Sequence, residues 1–369
     1  MEIKRYDYSK QFGDNPSSLF LELRDMILDG RYISTKEVEE FENQFSAFLG
    51  VKHAYGTNSG TDALIIALTS LGIKPGDEVI TQANTFYSTV AAIKHVGATP
   101  KLVDVTQDNF SMDAGMLENL ITDRTKVILP VHLYGKPADM DAIIHIANNH
   151  NLLIIEDAAQ AHGAMYKGKK VGTFGEIGCF SFHPSKNLAA AGDGGCIVTN
   201  DSTLFERIRC IGKLGQIEQN RHILLGLNSK LDSIQARILS WKLPYLETWN
   251  MDRNMVARSY KERLNKHPIQ FQGTSENEFH VYHLFQIRVK KRDELLNYLQ
   301  GHGIDATIRY PFPIHLQEAF ENEGWYNGQF PVAEQLSNEL LCLPIRPEMS
   351  EVEIEYVCRK ITAFFKKET

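Results

Sequence analysis

Between residues 78 and 156, short apolar runs rich in β-branched side chains alternate with stretches of helical spacing. Runs at 78–81, 100–105, 126–132 and 152–156 read as strands, while 84–88 opens a helix and 116–121 and 138–150 continue the helical half of the rhythm. Parallel strands cannot be joined by tight hairpins and need a crossover, usually a helix. The alternation therefore predicts a mostly parallel sheet covered on both faces. Ligands of such sheets bind outside the carboxyl ends of the strands. Asp157 stands at one such end, and Lys186 closely follows another strand-like run, 178–182.

The flanks fit one large α/β layer and a smaller appendage. Residues 20–29 have helical spacing closed by Gly30, and Ser34-Thr35-Lys36-Glu37 matches a capping box. Val38, Phe41, Phe45, Phe48 and Leu49 form a core-facing stripe ending at Gly50. Residues 213–228 lack periodicity and read as a long loop, a kind that is often functional. A helical pattern over 229–264 is interrupted at Pro244, which divides the chain into a large domain, 1–245, and a small α+β domain, 246–369. In the latter, 281–289 and 306–310 read as strands, and 292–300, 332–341 and 351–365 as helices. Gly301 to Ala306 spells GxGxxA but follows a helix, so a dinucleotide site is rejected. His280 and His283 fall on opposite faces of a strand and read as packing or surface residues.

A net charge of −7 without a basic cluster argues against nucleic-acid binding. Five scattered cysteines read as reduced thiols, and no HExxH or Cys/His cluster suggests a metal. Residues 1–14 are polar, and no apolar stretch is long enough to span a bilayer; a soluble, cytoplasmic protein is expected.

Three stretches carry chemistry. Lys186 stands amid small and apolar residues in Ser181-Phe182-His183-Pro184-Ser185-Lys186-Asn187-Leu188. The apolar run 152–155 ends in Glu156-Asp157, and Asn58-Ser59-Gly60-Thr61 is a polar turn opening a helix over 63–71. It is not a GxxxxGK[ST] loop, yet first-turn amides still suit a phosphate. Pyridoxal phosphate (PLP) needs such parts: an amine for a Schiff base, a carboxylate to keep the pyridine nitrogen protonated, and hydroxyls and free amides for the phosphate.

The wording of these stretches, Glu156-Asp157-Ala158-Ala159-Gln160-Ala161-His162-Gly163 and Phe180 through Leu188, resembles the DegT/DnrJ/EryC1/StrS family of PLP-dependent nucleotide-sugar aminotransferases. The resemblance covers about 30–361 and implies the fold type I, aspartate-aminotransferase-like architecture. It implies that Lys186 holds the cofactor and moves the proton, and that Asp157 pairs with the pyridinium nitrogen. Ser59, Gly60, Thr61 and Ser181 would hold the phosphate, Gln160 the phenolic oxygen, and Phe86 would stack on the ring. Asn228 looks like the asparagine that relatives lend to a neighbouring subunit, which implies a homodimer with shared active sites. His183 is expected to position, and His162 either to stabilise the site or to touch substrate.

Tyr310-Pro311-Phe312-Pro313-Ile314-His315-Leu316-Gln317 resembles the family's sugar-nucleotide segment, although many relatives carry His where this chain has Arg309. Lys213, Arg221, Arg309, Tyr310 and His315 are therefore candidate substrate contacts, the cations because they recognise oxyanions. The expected reaction moves an amino group from L-glutamate to a keto-sugar nucleotide, expected to be a dTDP-3-keto-6-deoxyhexose because the wording resembles relatives acting on 3-keto-6-deoxyhexoses more than those acting on 4-keto ones. Alternatives are a 4-keto-sugar aminotransferase, a PLP-dependent sugar dehydratase and a non-catalytic regulator. The dehydratases of this fold carry His at the Schiff-base position, and a regulator would have lost Lys186 or Asp157.

Overall fold

In the computed structural model, which describes residues 1–13 and 15–366, the chain builds a seven-stranded sheet. Its strands are β1 (His53–Thr57), β2 (Glu78–Gln82), β3 (Thr99–Val103), β4 (Thr125–Ile128), β5 (Leu153–Asp157), β8 (Ile177–Ser181) and β9 (Gly195–Thr199); a hairpin of β6 (Met165–Tyr166) and β7 (Lys169–Lys170) lies apart from it. The order is β1-β9-β8-β5-β4-β2-β3. β3, β2, β4, β5 and β8 pair in parallel, and β9 runs antiparallel between β8 and β1. The expected mostly parallel sheet is present, and its carboxyl ends open on one side.

The helices α1 (Ser17–Leu28), α2 (Lys36–Leu49), α3 (Gly60–Ser70), α4 (Tyr87–His95), α5 (Met140–His150) and α6 (Ser202–Gly212) cover the sheet. The α2 aromatics are core, as expected: Phe45 meets Phe180 and Phe182 edge-on at 5.1 and 5.4 Å. The capping box does not form. Thr35 is the N-cap with no hydrogen bond to the helix backbone, because the Glu37 carboxylate instead takes the Thr35 hydroxyl and the Arg31 guanidinium. Residues 116–121 form short 3-10 turns rather than an α-helix.

Residues 213–228 are not a featureless loop but contain a hairpin, β10 (Gln216–Glu218) and β11 (Arg221–His222). Pro244 breaks the following helix as expected: α7 (Ser233–Lys242) and α8 (Leu246–Leu264) flank a single 3-10 turn. Beyond lie β12 (Gln270–Phe271), β13 (Glu278–Phe279), β14 (Phe285–Arg288), α9 (Arg292–Gln300), α10 (Pro331–Glu339), β15 (Leu340–Leu343) and α11 (Glu351–Lys366). The helix expected over 332–341 stops at Glu339, because the fully apolar run from Leu340 to Leu343 pairs with β14. Residues 306–310 contribute one bridge, Thr307 to Cys342, instead of a strand.

β12, β14 and β15 pack with α8, α9 and α11 in a second core. Ile3 belongs to that core, held by a 2.8 Å bond from its amide to the Gly303 carbonyl. Phe320, Phe330, Ala333 and Leu336 pack the other way, into the core of the large sheet. No described helix is long and apolar enough to cross a membrane.

Candidate active site

The carboxyl ends of β5 and β8 open into a cavity of about 600 Å³. β5 delivers Asp157 there, and the backbone fixes it: its amide donates to the Pro130 carbonyl at 2.9 Å and its carbonyl accepts from the His132 amide at 3.0 Å. The side chain accepts from the Thr89 hydroxyl at 2.9 Å and from the Ala159 amide at 3.1 Å. Burial pushes the carboxyl's pKa up, opposed by these bonds and by the positive charge of Lys186. Neighbouring Glu156 turns the other way. Wholly buried, it accepts from the amides of Gly172, Phe174 and Gly175 and from His132, so it fastens the 172–175 loop. His132 Nδ1 accepts from the Ala138 amide, so Nε2 carries the proton given to Glu156.

Lys186 follows β8 in a loop that folds back on itself. Its amide donates to the His183 carbonyl, and the Ala190 amide donates to the Phe182 carbonyl, both at 2.8 Å. Buried Phe182 and Leu188 anchor the loop, and the Asn187 amide group donates to Asn250 and to the Val281 carbonyl at 2.9 Å each. Poor solvation brings the Lys186 amine down to about 8, with Asp157 opposing and Arg309 adding to the shift. His162 is wholly buried behind the cavity wall against Phe180 and Phe182, and burial lowers it to about 3, so it stays neutral. His183 does line the cavity, and its Nδ1 faces the Ser185 hydroxyl at 2.9 Å.

Two helices begin at the cavity. Ser59 caps α3 by accepting from the Asp62 amide at 3.1 Å, and Phe86 stands at the N-cap of α4. The Thr61 hydroxyl donates to Ser88 at 2.8 Å, joining the two helix starts. Gly60 lies against Ser181: a Cβ on it would sit 2.7 Å from the Ser181 Cβ, so only glycine permits this closeness. Hydroxyls of Ser59, Thr61, Ser88 and Ser181 thus surround helix amides that lack helical partners. That arrangement fits a phosphate, with fields from two helix N-termini. Phe86 is 49 % exposed although it lines a cavity, a flat apolar face whose ring neighbour is Tyr310, tilted by 52° with centroids 6.0 Å apart. The Gln160 side chain accepts from the Tyr134 amide at 2.8 Å and donates to the Tyr310 hydroxyl at 2.7 Å, which fixes its amide orientation. An amine, a buried carboxylate, an open aromatic face and a hydroxyl-lined amide cup therefore share one cavity, and these residues fit PLP.

The cavity brings together Ser59, Gly60, Thr61, Phe86, Asp157, Gln160, Ser181, Lys186 and Tyr310. Asn228 is exposed outside it; its side chain takes the Lys230 ammonium, and its carbonyl accepts from Asn58 at 2.9 Å. Lys213 forms a bridge with Asn228, and Arg221 pairs with Glu218 at 3.0 Å on the exposed hairpin. His315 lies outside as well: its ring is fully buried and its Nε2 meets Glu334 at 2.8 Å, which pins the 314–334 segment. Tyr6, Ser88 and His283 were not expected in the cavity. Only Ser88 had a signal, a hydroxyl in the first turn of a helix starting at Phe86. His283, expected to pack or to face solvent, is buried in the cavity wall with its Nδ1 3.4 Å from Asn187.

The family model described as the DegT/DnrJ/EryC1/StrS aminotransferase family matches residues 17–362. A "Pleiotropic regulatory protein" of Geobacillus stearothermophilus is 42% identical over 99% of both chains. The dTDP-3-amino-3,4,6-trideoxy-alpha-D-glucose transaminase of Streptomyces venezuelae is 44% identical, over 88% of this chain and 86% of its own. The crystal structure of S. venezuelae DesV in complex with a ketimine intermediate superimposes with a TM-score of 0.96 at 39% identity, covering 98% of each chain.

Proposed function

Because the chain belongs to the DegT/DnrJ/EryC1/StrS aminotransferase family, we propose that it uses pyridoxal phosphate to move an amino group from L-glutamate to a dTDP-3-keto-6-deoxyhexose. The observation that carries the reading is the shared cavity of Lys186, Asp157, Phe86 and the hydroxyl cup at the starts of α3 and α4. The finer substrate assignment leans on the S. venezuelae relative, whose name specifies dTDP and position 3.

Each residue then has a physical task. Ser59, Thr61, Ser88, Ser181 and the first amides of α3 hold the phosphate, with Gly60 allowing the cup to close. Asp157 would accept a hydrogen bond from the protonated ring nitrogen, and this cationic partner would offset the burial that otherwise raises its pKa. Phe86 supplies a stacking face, and Gln160 hydrogen-bonds at the phenolic oxygen. Bound PLP supplies an electron sink for the charge left when the donor loses its Cα proton. Lys186 Nζ carries that proton, and an amine held near 8 exchanges protons at neutral pH far more readily than a solvated lysine.

Asn228 is assigned to the phosphate of a second copy of the chain, in a homodimer with shared sites. Its exposure in the single chain supports this, as do exposed apolar residues on the same segment, Ile217, Ile223 and Leu225. Lys213 and Arg221 on that segment are assigned to the substrate's phosphates, and Tyr310 to the sugar. The reading includes a cytoplasmic location, supported by five buried free cysteines.

A regulator reading is favoured by the names of relatives, such as that of G. stearothermophilus; Lys186 and Asp157 together in one cavity support catalysis. The test is to incubate the holoenzyme with glutamate and a panel of 3-keto- and 4-keto-sugar nucleotides, and to identify products by mass spectrometry. An amino sugar from the 3-keto substrates is expected. Amination of 4-keto substrates alone overturns the substrate assignment, and no spectral response to glutamate overturns the enzyme reading.

A further inference from the structure

A second cavity, of about 760 Å³, opens at the domain junction and shares Lys186 and Tyr6 with the first. It also borders Asn187 and Ala189, so the loop that carries the reacting amine lies against two open spaces. Packing holds a group only where atoms lie against it, and the placing of this loop therefore falls to directed bonds. Three side chains of α7 and α8 supply them. Gln235 Oε1 accepts from the Ala191 amide at 2.8 Å, Lys242 Nζ donates to the Ala189 carbonyl at 2.9 Å, and Asn250 Oδ1 accepts from the Asn187 side chain at 2.9 Å.

Lys242 is the unexpected member. Ala236, Leu239 and Lys242 are spaced by three and all buried, so this lysine stands on the core-facing stripe of α7. It is 1 % exposed, and the other lysine as deeply buried, Lys136 at 2 %, pairs with Glu278 at 2.8 Å. Lys242 pairs with no carboxylate among the described residues. Asp7, Asp252 and Glu348 border the same cavity, yet burial alone draws the amine down to about 8. Its other contacts are the Gln11 side-chain oxygen at 3.4 Å and the face of Phe12 at 4.3 Å. The neighbouring Trp241 indole donates to the Phe12 carbonyl at 3.0 Å. A buried ammonium without a counter-charge costs the fold, and an apolar side chain of similar length would fill the place at a smaller cost. What the amine adds is a join. On one side is the loop of Lys186, and on the other is the N-terminal arm, which carries Tyr6 to the cofactor cavity.

We propose that Lys242 is a positioning residue for the reaction: its amine, lodged between the Ala189 carbonyl and the N-terminal arm, fixes the loop so that the Lys186 amine meets the donor carbon. The proposal rests on the aminotransferase reading above, in which Lys186 carries the proton. Lys242 does not line the cofactor cavity; it acts through the short stretch from Asn187 to Ala189. A reacting group misplaced by about an ångström loses roughly a hundredfold in rate. The groups that bind the donor stay where they are, so the loss falls on the steps that the Lys186 amine performs.

Lys242→Met keeps the apolar stem and removes the amine. In the holoenzyme, the saturating rate at which glutamate converts the cofactor, followed by absorbance, should fall roughly tenfold or more. The half-saturating glutamate concentration should stay within about threefold of wild type. The isotope effect with α-deuterated glutamate should be at least as large as in wild type, because proton transfer stays or becomes the slow step. Uptake of PLP by the apo-protein, which uses the same amine without substrate, should slow as well, and the Tm should stay within a few degrees. Lys242→Arg, which keeps the charge and the donors, should recover most of the rate. An unchanged saturating rate, a loss confined to the half-saturating concentration, or a smaller isotope effect would each overturn the proposal. So would a Lys242→Arg variant that melts like wild type but regains no rate. If no variant at 242 folds, the residue is structural and the proposal fails. If wild type shows no spectral response to glutamate, the aminotransferase reading has failed. The placement of Lys186 is then judged by PLP uptake, and equal uptake by wild type and Lys242→Met overturns it.

Discussion

At the scale of single residues, the site depends on one amine whose environment differs from water. Burial costs the charged form of Lys186, so its folded pKa lies below the ordinary lysine value, and the neutral nucleophile dominates above about 8. Uptake of PLP by the apo-protein, followed by absorbance, should therefore speed up with pH and level off above about 8. Uptake that keeps climbing through the ordinary lysine range would mean that the amine is solvated. Asp157→Asn should retain cofactor yet slow conversion by glutamate roughly 10²-fold or more, because the ring nitrogen loses its counter-charge. Unchanged single-turnover rates would remove Asp157 from the mechanism. Lys186 and Asp157 were legible in the sequence because their contexts are local: a lysine among small residues after a strand, and an acid ending an apolar run. Tyr6 and His283 were not, since nothing near them in sequence says that they reach a cavity whose cup and lysine lie within residues 59–186.

Among elements, the cup is made by two helix starts and one strand end that touch. Gly60→Ala places a methyl 2.7 Å from the Ser181 Cβ. Separating α3 from β8 to admit it should cost on the order of 1–3 kcal/mol. The expected result is a lower Tm and loss of PLP on dialysis; a variant with wild-type values for both would show that the contact is slack. The alternation over 78–156 made the sheet legible, because strand period and helix period differ. It failed where periods carry no information. The apolar run from Leu340 to Leu343 suits a buried strand or the end of a helix equally, and only pairing with β14 decides it. The capping box at 34–37 failed for a different reason: Arg31 outcompetes the backbone for Glu37.

For the whole molecule, the outstanding claim is that a site needs two chains. A mixed dimer of one chain carrying Lys186→Ala and another carrying Asn228→Ala tests it. If Asn228 acts on the partner's site, one site has both defects and the other none, and activity should be near half of wild type. Activity no better than that of Asn228→Ala alone would mean that each chain uses its own asparagine. Each chain we divide at 245/246, and the division is crossed at several places: Ile3 docks in the small core, the Phe320 to Leu336 segment packs in the large one, and β13 pairs with β6.

The first of those crossings also bears on the order in which the molecule can be completed. Ile3 and Tyr6 leave the ribosome long before their seats, near Gly303 and at Arg309, have been translated. The sheet, with its cup and its lysine, can assemble while synthesis continues. The cavity wall formed by Tyr6, Arg309 and Tyr310 cannot close until that later segment has emerged and folded, so a nascent chain stalled before residue 300 should hold a cup without a finished cavity.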